Sequence, residues 1–353
     1  MVDSKQQWKG WLFLLPAIVL LAIFTVYPIF NTIRIAFLEG YSPLGKEGGE
    51  TFNFGFKNFV DVLSYGSNSG KTIFDSIADT LNGQGGQTGL IGCLTNTIVL
   101  TILTVPLSCF LALLVSVFLN SIPKFSKLFQ TIYFLPYVTN SIAIGMVFAM
   151  MFNIVGFTPA VPVDSYNGAL PLYNIVNGKG QFAQSWGIVN DLIIALGGNP
   201  INWINAGSGY WENIAVMVIY IVWNALPFKI LILLGGLQSV NKQYYDAAKI
   251  DSASKVTVFF RITVPLLSPM IAYTVITSFI GGFKEYSSIV GVFNETMGPA
   301  GQVNRLNTMV GYIYDAISGD NYGTASAAAL ILFGIIMIVT FINLYVSKKK
   351  VHY

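Results

Sequence analysis

The chain has 353 residues, of which 54% are hydrophobic and only 10% are charged, and its formal net charge is +3. Soluble domains carry about 25% charged residues, so this composition excludes a disordered chain and argues against nucleic-acid binding. The single histidine, His352, and the two cysteines, Cys93 and Cys109, nearly exclude zinc sites built on His and Cys and Ser-His-Asp hydrolases.

Six apolar runs are long enough to cross the hydrocarbon core of a bilayer, which takes roughly 20 helical residues. None has the alternating polarity of a barrel strand, so each is predicted to be a helix. In chain order they lie near Trp11–Phe30, Leu94–Leu119, Leu128–Phe152, Ile214–Leu237, Met270–Phe293 and Ala325–Val346. The sequence therefore predicts an all-α integral membrane protein with six transmembrane helices.

The distribution of Lys and Arg predicts the side of the membrane on which each connecting segment lies. If the N-terminus is cytoplasmic, the inner segments hold 11 basic residues, whereas the much longer outer segments hold 5. The inner segments are 1–10, 120–127, 238–268 and 347–353, and the outer segments are 38–93, 153–213 and 294–324. Because short cytoplasmic loops are enriched in Lys and Arg, both termini are predicted to be cytoplasmic.

Residues 66–72 resemble a phosphate-binding loop but miss its spacing by one residue. The motif has four residues between its first glycine and the Gly-Lys pair, whereas here three residues separate Gly66 from Gly70. The charge distribution also places this stretch outside the cell, away from ATP. We interpret it as an external turn and expect no ATPase site, no catalytic residue and no metal site on this chain.

The longest and most basic inner segment, 238–268, has the pattern of two short helices. A helical stretch ends at the small-residue pair Ser252-Ala253, and an amphipathic stretch follows until Pro265 interrupts it before the next span. An amphipathic helix parallel to the membrane is suited to docking into a groove of another protein. The plain alternative is a solvated loop.

This segment resembles the EAA loop of ABC-transporter permease subunits, whose pattern is roughly E-A-A-x-x-D-G-A followed by I-x-x-P-x-x-x-P. The matching positions are Asp246, Ala247, Ala248, Asp251, Ala253, Ile262, Pro265 and Pro269. Asp246 stands where Glu is usual, and Ser252 replaces a Gly, the residue favoured where φ is positive. The resemblance implies that an ATPase is coupled to the chain through Asp246, Ala247, Ala248, Asp251, Ser252, Ala253, Phe259 and Pro265.

The resemblance extends along nearly the whole chain to the carbohydrate permeases, specifically the maltose- and glycerol-phosphate-type first subunit. It is carried by Leu14–Ala17, Tyr27-Pro28, Gly55–Phe59, Phe134–Pro136, Leu226–Phe228 and Gly236–Ser239. It implies the type I importer permease fold, with the first helix and an extracytoplasmic loop in 1–93 and a five-helix core in 94–353. That core includes an unusually long extracytoplasmic insertion, 153–213, and the cytoplasmic EAA loop, 238–268.

The same resemblance implies partners and a location. Two permease subunits, of which the second is expected to be a different chain, form a path through a bacterial or archaeal cytoplasmic membrane. Two cytoplasmic ATPase subunits hold ATP and magnesium, so this chain is expected to bind no cofactor itself and to be no enzyme. An extracytoplasmic binding protein delivers a sugar or oligosaccharide for import.

Polar residues inside the apolar runs are candidates for the substrate pathway. Buried charge is costly, so it usually pairs, snorkels or lines a wet cavity. Neighbouring residues on a helix point about 100° apart, so Lys284 and Glu285 cannot pair face to face, and we expect both to line a cavity. Lys229 either snorkels to the inner headgroups or serves the pathway. By resemblance to the maltose-type subunit, the sugar-facing positions fall near Trp223, Asn224, Phe228, Ser278, Gly282 and Phe283.

Three other functions remain open at this point. The alternatives to a sugar importer are an importer of another small polar solute, an ion-coupled secondary carrier and a membrane-embedded enzyme. Carriers often have repeated halves and interrupted helices, and no repeated halves are visible here. A carrier does not account for the EAA loop, and the scarcity of His and Cys disfavours an enzyme.

The charge distribution predicts the outcome of cysteine labelling in intact cells. A cysteine that replaces Lys46 or Lys179 should react with a membrane-impermeant maleimide, whereas one that replaces Lys255 should react only after the membrane is opened. The background chain has Cys93 and Cys109 replaced by serine. Labelling at Lys255 in sealed cells would reverse the predicted orientation.

Overall fold

The computed structural model describes residues 7–43, 45, 52–64, 73–84, 89–122, 131–132, 134, 137–165, 172–176 and 179–350. The described chain is mostly helical. The helices are α1 (Gln7–Leu21), α2 (Tyr27–Ala36), α3 (Lys57–Ser64), α4 (Ile73–Asp79), α5 (Gly89–Ser121), α6 (Ser141–Phe152), α7 (Ile188–Ala195), α8 (Tyr210–Ser239), α9 (Lys242–Ile250), α10 (Lys255–Val258), α11 (Val264–Leu266), α12 (Ser268–Phe283), α13 (Ser287–Phe293), α14 (Met309–Ser318) and α15 (Tyr322–Lys350). The turn that resembles a phosphate-binding loop, 66–72, lies outside these residues.

Within the described residues, four helical segments are long and apolar enough to cross a membrane. They are Lys9–Ala36, Gly89–Ser121, Tyr210–Ser239 and Tyr322–Lys348. A fifth is counted if Lys255–Leu266 and Ser268–Phe283, which meet at a bend of 70°, form one span. Short π-helical turns, Ala22–Val26 and Phe259–Thr263, join α1 to α2 and α10 to α11 without interrupting the helical path.

The third apolar run is not one continuous helix, because α6 begins at a cap in its middle. The side-chain oxygen of Asn140 accepts hydrogen bonds from the backbone N–H groups of Ile142 at 2.9 Å and Ala143 at 3.4 Å. A capping side chain satisfies the N–H groups that have no partner in the first helical turn. The resulting α6 has 12 residues, fewer than a bilayer needs. Much of the run before it lies outside the described residues.

The prediction of one helix over Met270–Phe293 is wrong. Helix α12 ends at Phe283, the chain is non-helical from Lys284 to Tyr286, and α13 begins at Ser287. The carboxylate of Glu285 accepts a hydrogen bond from the N–H of Ser288 at 3.2 Å, which favours a new helix start here. Lys284 and Glu285 therefore do not share a helix, and the argument from helical geometry does not apply to them.

The helix is also predicted to stop at Pro265, and this is wrong as well. Pro265 lies in the first turn of α11, where its missing N–H costs no hydrogen bond. The π-helical turn before it passes directly into α11, so the chain stays helical through the proline. The bend of 70° follows at Leu267.

The insertion 153–213 contains a small β-sheet, so the fold is mostly helical, as predicted, but not entirely α. Strands β1 (Thr158–Pro162), β2 (Leu172–Val176) and β3 (Lys179–Phe182) form an antiparallel sheet in the order β1-β3-β2. β1 is an edge strand, where the missing N–H groups of Pro159 and Pro162 are tolerated. Strands of four or five residues are too short to be found by a search for membrane-length apolar runs.

By internal contacts the chain divides into two units. One unit consists of Met1–Tyr65 with Tyr312–Gly334, and the other of Gly66–Gly311 with Ile335–Tyr353. In the first unit, the side-chain amide of Asn58 donates to the carbonyls of Ala36 and Leu38, both at 3.0 Å. These bonds fix the chain where it leaves α2. The predicted division of the chain at residue 93 stays a prediction.

In the second unit, α5 and α8 pack side by side and run in the same direction. Three contacts define their register. Tyr210 donates to Asn96 at 2.8 Å, the ammonium of Lys229 donates to Ser108, and Ser116 donates to the carbonyl of Ile230 at 3.2 Å. The residue numbers increase together on both helices, so the pair is parallel. Helix α12 runs antiparallel to α5, since Gly282 lies against Thr101 and Ser278 against Cys109.

A buried polar cluster joins the loop before α14 to the N-terminal part of α5 and to the residues just before α8. The side chain of Asn96 donates to the carbonyls of Arg305 at 3.1 Å and Asn307 at 2.9 Å. The guanidinium of Arg305 donates in turn to the carbonyl of Ser208 at 2.6 Å. Burial lowers the pKa of Arg305 below its usual value. The cluster therefore holds three separate parts of the chain together at one end of the helix pair.

The close contact between α6 and α13 predicts a stability difference between two glycine variants. A Cβ atom at Gly145 would lie 2.7 Å from the Cα of Gly291. The clash is with backbone, which cannot move aside as a flexible side chain can. Gly145→Ala should therefore destabilise the fold by about 1–3 kcal/mol through overpacking. The matched control is Gly235→Ala in α8, where a Cβ atom meets nothing within 4 Å. That change should be neutral or stabilise the helix by up to about 1 kcal/mol. Equal apparent melting temperatures of the two variants in detergent would contradict this packing.

Candidate functional site

Residues 238–268, predicted above to be cytoplasmic, fold as two helical pieces around a tight turn, and we call them the coupling segment. The turn after α9 has the two hydrogen bonds of a Schellman motif: Ala253 N–H donates to the carbonyl of Ala248 at 2.9 Å, and Ser252 N–H to that of Lys249 at 3.0 Å. Ser252 occupies the left-handed position with φ of 52°. The serine therefore adopts the backbone angle for which glycine is the usual residue.

The second helical piece starts at a side-chain cap. The hydroxyl of Ser254 accepts from the N–H of Thr257 at 3.1 Å, and α10, the π-helical turn and α11 follow without a gap. The hydroxyl groups of Tyr245 and Thr263 lie 3.4 Å apart and connect the two pieces. The predicted arrangement of two short helices with a break at Ser252-Ala253 is present in the structure.

Large apolar side chains of the coupling segment are exposed. The exposed fractions are 84% for Ile250, 66% for Val256, 64% for Phe260 and 54% for Tyr244. We call these four side chains the coupling patch. Grooves of about 580 Å³ and 440 Å³ lie on the same segment, and Ala253 contributes to both. Of the four side chains, Tyr244 lines the smaller groove. Exposed apolar side chains of this kind are typical of a surface that contacts another protein or the membrane.

The predicted coupling residues take different positions in this segment. Asp246 is exposed and forms an ion pair with Lys249 at 3.0 Å. Of the alanine pair, Ala248 is buried against the segment and Ala247 is exposed in one groove. Half-buried or exposed positions are occupied by Asp251, Ser252, Ala253, Phe259 and Pro265. Their role in coupling remains a prediction.

A cavity of about 250 Å³ lies between α5, α8 and α12, near the middle of α5. It is lined by Thr104, Val105, Ser108, Tyr137, Ile221, Ala225, Phe228, Lys229, Thr277, Ser278, Gly281, Gly282 and Glu285. The rings of Tyr137 and Phe228 stack with centroids 5.7 Å apart and an interplanar angle of 12°. The cavity thus combines a flat aromatic surface with hydroxyl and charged groups, as a site for a polar solute requires.

Of the predicted pathway residues, the structure brings Phe228, Ser278, Gly282 and Glu285 together in the cavity lining. The other four lie outside that lining. Trp223 stacks on Phe148 at 6.1 Å, and the Asn224 amide donates to the Ser141 hydroxyl at 3.3 Å. Phe283 is buried and Lys284 is exposed.

Sequence reasoning missed several lining residues, above all Tyr137 and the hydroxyls of α5. Thr104 donates to the carbonyl of Leu100 at 2.7 Å, and Ser108 to that of Thr104 at 2.6 Å. Bonds of this kind let Ser and Thr lie in apolar helices. A search for apolar runs therefore includes these residues in the helix without identifying them as part of a site. Lys229, whose role was open, is buried and points at Ser108, so it does not snorkel to the headgroups.

The fold and these two regions define a multi-pass membrane permease, and comparison with known proteins gives its family. The family model described as "Binding-protein-dependent transport system inner membrane component" matches residues 104–352. The chain belongs to this family. The matched region includes the cavity and the coupling segment.

Individual relatives agree with the family. The lactose transport system permease protein LacF of Rhizobium radiobacter is 26% identical over 97% of this chain and 95% of its own length. The arabinooligosaccharides transport system permease protein AraP of Halalkalibacterium halodurans is 31% identical over 72% of this chain and 70% of its own length. A chain of a bacterial alginate ABC transporter, solved in complex with an alginate pentasaccharide-bound periplasmic protein, shares the fold with a TM-score of 0.67. It has 18% identity over 98% of this chain and 96% of that chain.

The Schellman turn predicts opposite effects of two serine substitutions in the coupling segment. Ser252→Gly removes the cost of a left-handed non-glycine residue and should stabilise the segment by about 1 kcal/mol. Ser254→Ala removes the cap of α10 and should destabilise it by about 1 kcal/mol. Hydrogen exchange of the backbone amides of Lys242–Thr263 measures both effects. Faster exchange in Ser252→Gly than in the wild type would show that the turn does not have this geometry.

Proposed function

We propose that the chain is a permease subunit of a binding-protein-dependent ABC importer and carries a sugar or oligosaccharide into the cytoplasm. The observation that carries this proposal is the connection between the two regions of the site. Helices α8 and α12 both line the cavity, and the coupling segment joins one to the other along the chain. A movement of the coupling segment would therefore be passed directly to α8 and α12, which form two walls of the cavity.

The proposed cargo class is carbohydrate. LacF and AraP are described as lactose and arabinooligosaccharide transport permeases. The cavity supplies the groups that a sugar needs, because the Tyr137–Phe228 stack offers an aromatic face and the hydroxyls of Thr104, Thr277 and Ser278 offer hydrogen bonds. The proposed function places Trp223, Asn224, Phe283 and Lys284 along the rest of the path.

The proposed topology has six transmembrane helices with both termini in the cytoplasm. The parallel pairing of α5 and α8 supports it, because the chain has to cross the membrane once between two adjacent parallel spans. The only long apolar run between them ends with α6. Helix α12 is antiparallel to α5, as the fifth of six spans should be. The excess of Lys and Arg in 238–268 supports a cytoplasmic position of the coupling segment.

The proposed partners are two cytoplasmic ATPase subunits at the coupling patch, a second permease chain and an extracytoplasmic binding protein. ATP and magnesium belong to the ATPase subunits in this assignment. The alginate transporter that shares the fold was solved with its periplasmic protein, which supports the last partner. The assembly lies in a bacterial or archaeal cytoplasmic membrane.

An ion-coupled carrier is the second candidate, and one observation favours it. Carriers build their sites from interrupted helices, and the break between α12 and α13 is such an interruption. A carrier has no use for a large exposed apolar surface on a cytoplasmic segment. Retention of an ATPase during purification separates the two candidates, and an importer of another polar solute differs from the proposal only in its cargo.

The coupling patch predicts which variants lose the ATPase. Ile250→Asp changes a side chain that is 84% exposed, so the fold should survive while an apolar contact is lost. Ala253→Arg fills the position shared by both grooves. Each variant should weaken ATPase retention about tenfold or more, the effect of truncating a central interface residue. Pull-down of the ATPase from native membranes measures retention.

The matched control is Ile188→Asp, which makes the same chemical change at an exposed position of α7 in the outer insertion. This variant should retain the ATPase at the wild-type level. Equal retention by Ile250→Asp, Ala253→Arg and the control would remove the coupling role from this segment. An absence of any ATPase from the purified wild-type complex would contradict the proposed importer itself.

A further inference from the structure

The cavity holds two groups of opposite charge, the ammonium of Lys229 on α8 and the carboxylate of Glu285 after α12. Both residues are among those the structure describes, and they do not form an ion pair with each other. Sequence reasoning assigned Glu285 to the pathway and left the role of Lys229 open. A charge that is buried without an opposite charge is costly unless it has some other partner.

The surroundings of Lys229 leave part of its hydrogen-bonding capacity unused. Only 7% of the residue is exposed, and its ammonium donates to the hydroxyl of Ser108. The thiol of Cys109 is its other neighbour of note. An ammonium has three N–H donors, and these partners take two of them. The third donor remains for a molecule in the cavity that the lysine lines.

Glu285 likewise keeps acceptor capacity on the other side of the cavity. One carboxylate oxygen accepts from the N–H of Ser288 at 3.2 Å, and this contact holds the start of α13. The side chain of Ser288 and the backbone N–H of Tyr286 also contact this carboxylate. A carboxylate has two oxygens and about four acceptor positions, so these contacts leave one position for another donor. The backbone carbonyl of Glu285 is fixed separately, because the hydroxyl of Thr308 donates to it at 2.8 Å.

The pairing of an unused donor with an unused acceptor determines the chemistry of the molecule that fits. A sugar hydroxyl accepts from an ammonium and donates to a carboxylate, so an uncharged polyhydroxyl molecule satisfies both groups at once. A carboxylate at the position next to Glu285 would have no proton to donate and would be repelled, and an ammonium at the position next to Lys229 would have no lone pair to offer and would be repelled. The stacked rings of Tyr137 and Phe228 supply the apolar face in the same cavity.

We infer that Lys229 and Glu285 form a charge-balanced pair that contacts the cargo and selects uncharged sugars over acidic ones. This inference rests on the proposed function. It adds Lys229 as a specificity-determining residue and restricts the cargo to neutral carbohydrate. Either charge alone would leave the cavity with a net sign and change which sugars it accepts.

The test measures sugar binding to the purified complete transporter in nanodiscs, with the binding protein left out so that it does not impose its own selectivity. The probes are lactose, maltose and trehalose as neutral sugars, and lactobionate and maltobionate as acidic ones. The wild type should bind at least one neutral sugar more tightly than either acid. Lys229→Gln should weaken neutral binding about ten- to hundredfold, the effect of losing a hydrogen bond to a charged group.

Glu285→Gln is the decisive variant because it changes charge with little change in shape. The amide oxygen can still accept from Ser288, so the start of α13 should be kept. The cavity then holds a cation alone, and binding of lactobionate or maltobionate should strengthen relative to the neutral sugars. Lys229→Arg should keep the wild-type order of preference. Lys179→Gln in β3 removes one positive charge far from the cavity and should change neither class.

The outcomes separate a role in selection from a purely structural one. A structural role of Lys229 would lower the melting temperature and weaken all ligands together, leaving the ratio of neutral to acidic binding unchanged. An unchanged ratio in both Lys229→Gln and Glu285→Gln overturns the inference. So does a wild type that prefers the acids or that binds none of the five sugars. ATPase retention is measured on the same samples, and its loss in the wild type contradicts the proposed importer instead.

Discussion

The parallel contact between α5 and α8 is the constraint on which the second unit depends. Polar bonds fix it at three levels, from Asn96 with Tyr210 at one end to Ser116 with Ile230 towards the other. In an apolar solvent such bonds set the register, because hydrophobic burial does not discriminate between one lipid-like surface and another. Lys229 makes the second of these contacts, with Ser108 near the middle of α5, and lines the cavity. The helix pair therefore provides both the scaffold and one charged wall of the site.

The breaks in the apolar helices occur where side chains replace the missing backbone bonds. Asn140 caps α6, Glu285 holds the start of α13, and Ser254 caps α10. In the membrane such a replacement is obligatory, because there is no water to satisfy a free N–H group. The capping side chain then stays close to the site that the break creates. Glu285 illustrates this, since the same carboxylate begins a helix and lines the cavity.

The sequence predicted the features that depend on many residues and missed those that depend on one. Hydropathy located the long helices α5 and α8, and the pattern around Ser252-Ala253 predicted the two-piece coupling segment with its break. The end of α12 at Phe283 escaped because the short polar stretch Lys284–Ser288 lies between two apolar segments and was read as part of one span. Half of the predicted pathway residues line the cavity. Tyr137 was missed because its partner, Phe228, is distant in sequence and the stack exists only in the fold.

The position of the coupling segment would let a contact made there act on the cavity. From Lys229 to the end of α8 at Ser239 is about 15 Å of continuous helix, at 1.5 Å per residue. On the other side, the bend at Leu267 leads directly into α12, which contributes Ser278 and Gly282 to the cavity. A rigid rotation of the coupling segment would therefore move two cavity walls, one on each side of it. Because Lys229 lies on α8 and Glu285 follows α12, such a rotation would change the separation of the two charges. If a sugar bridges them, as we infer, the same rotation would also release it.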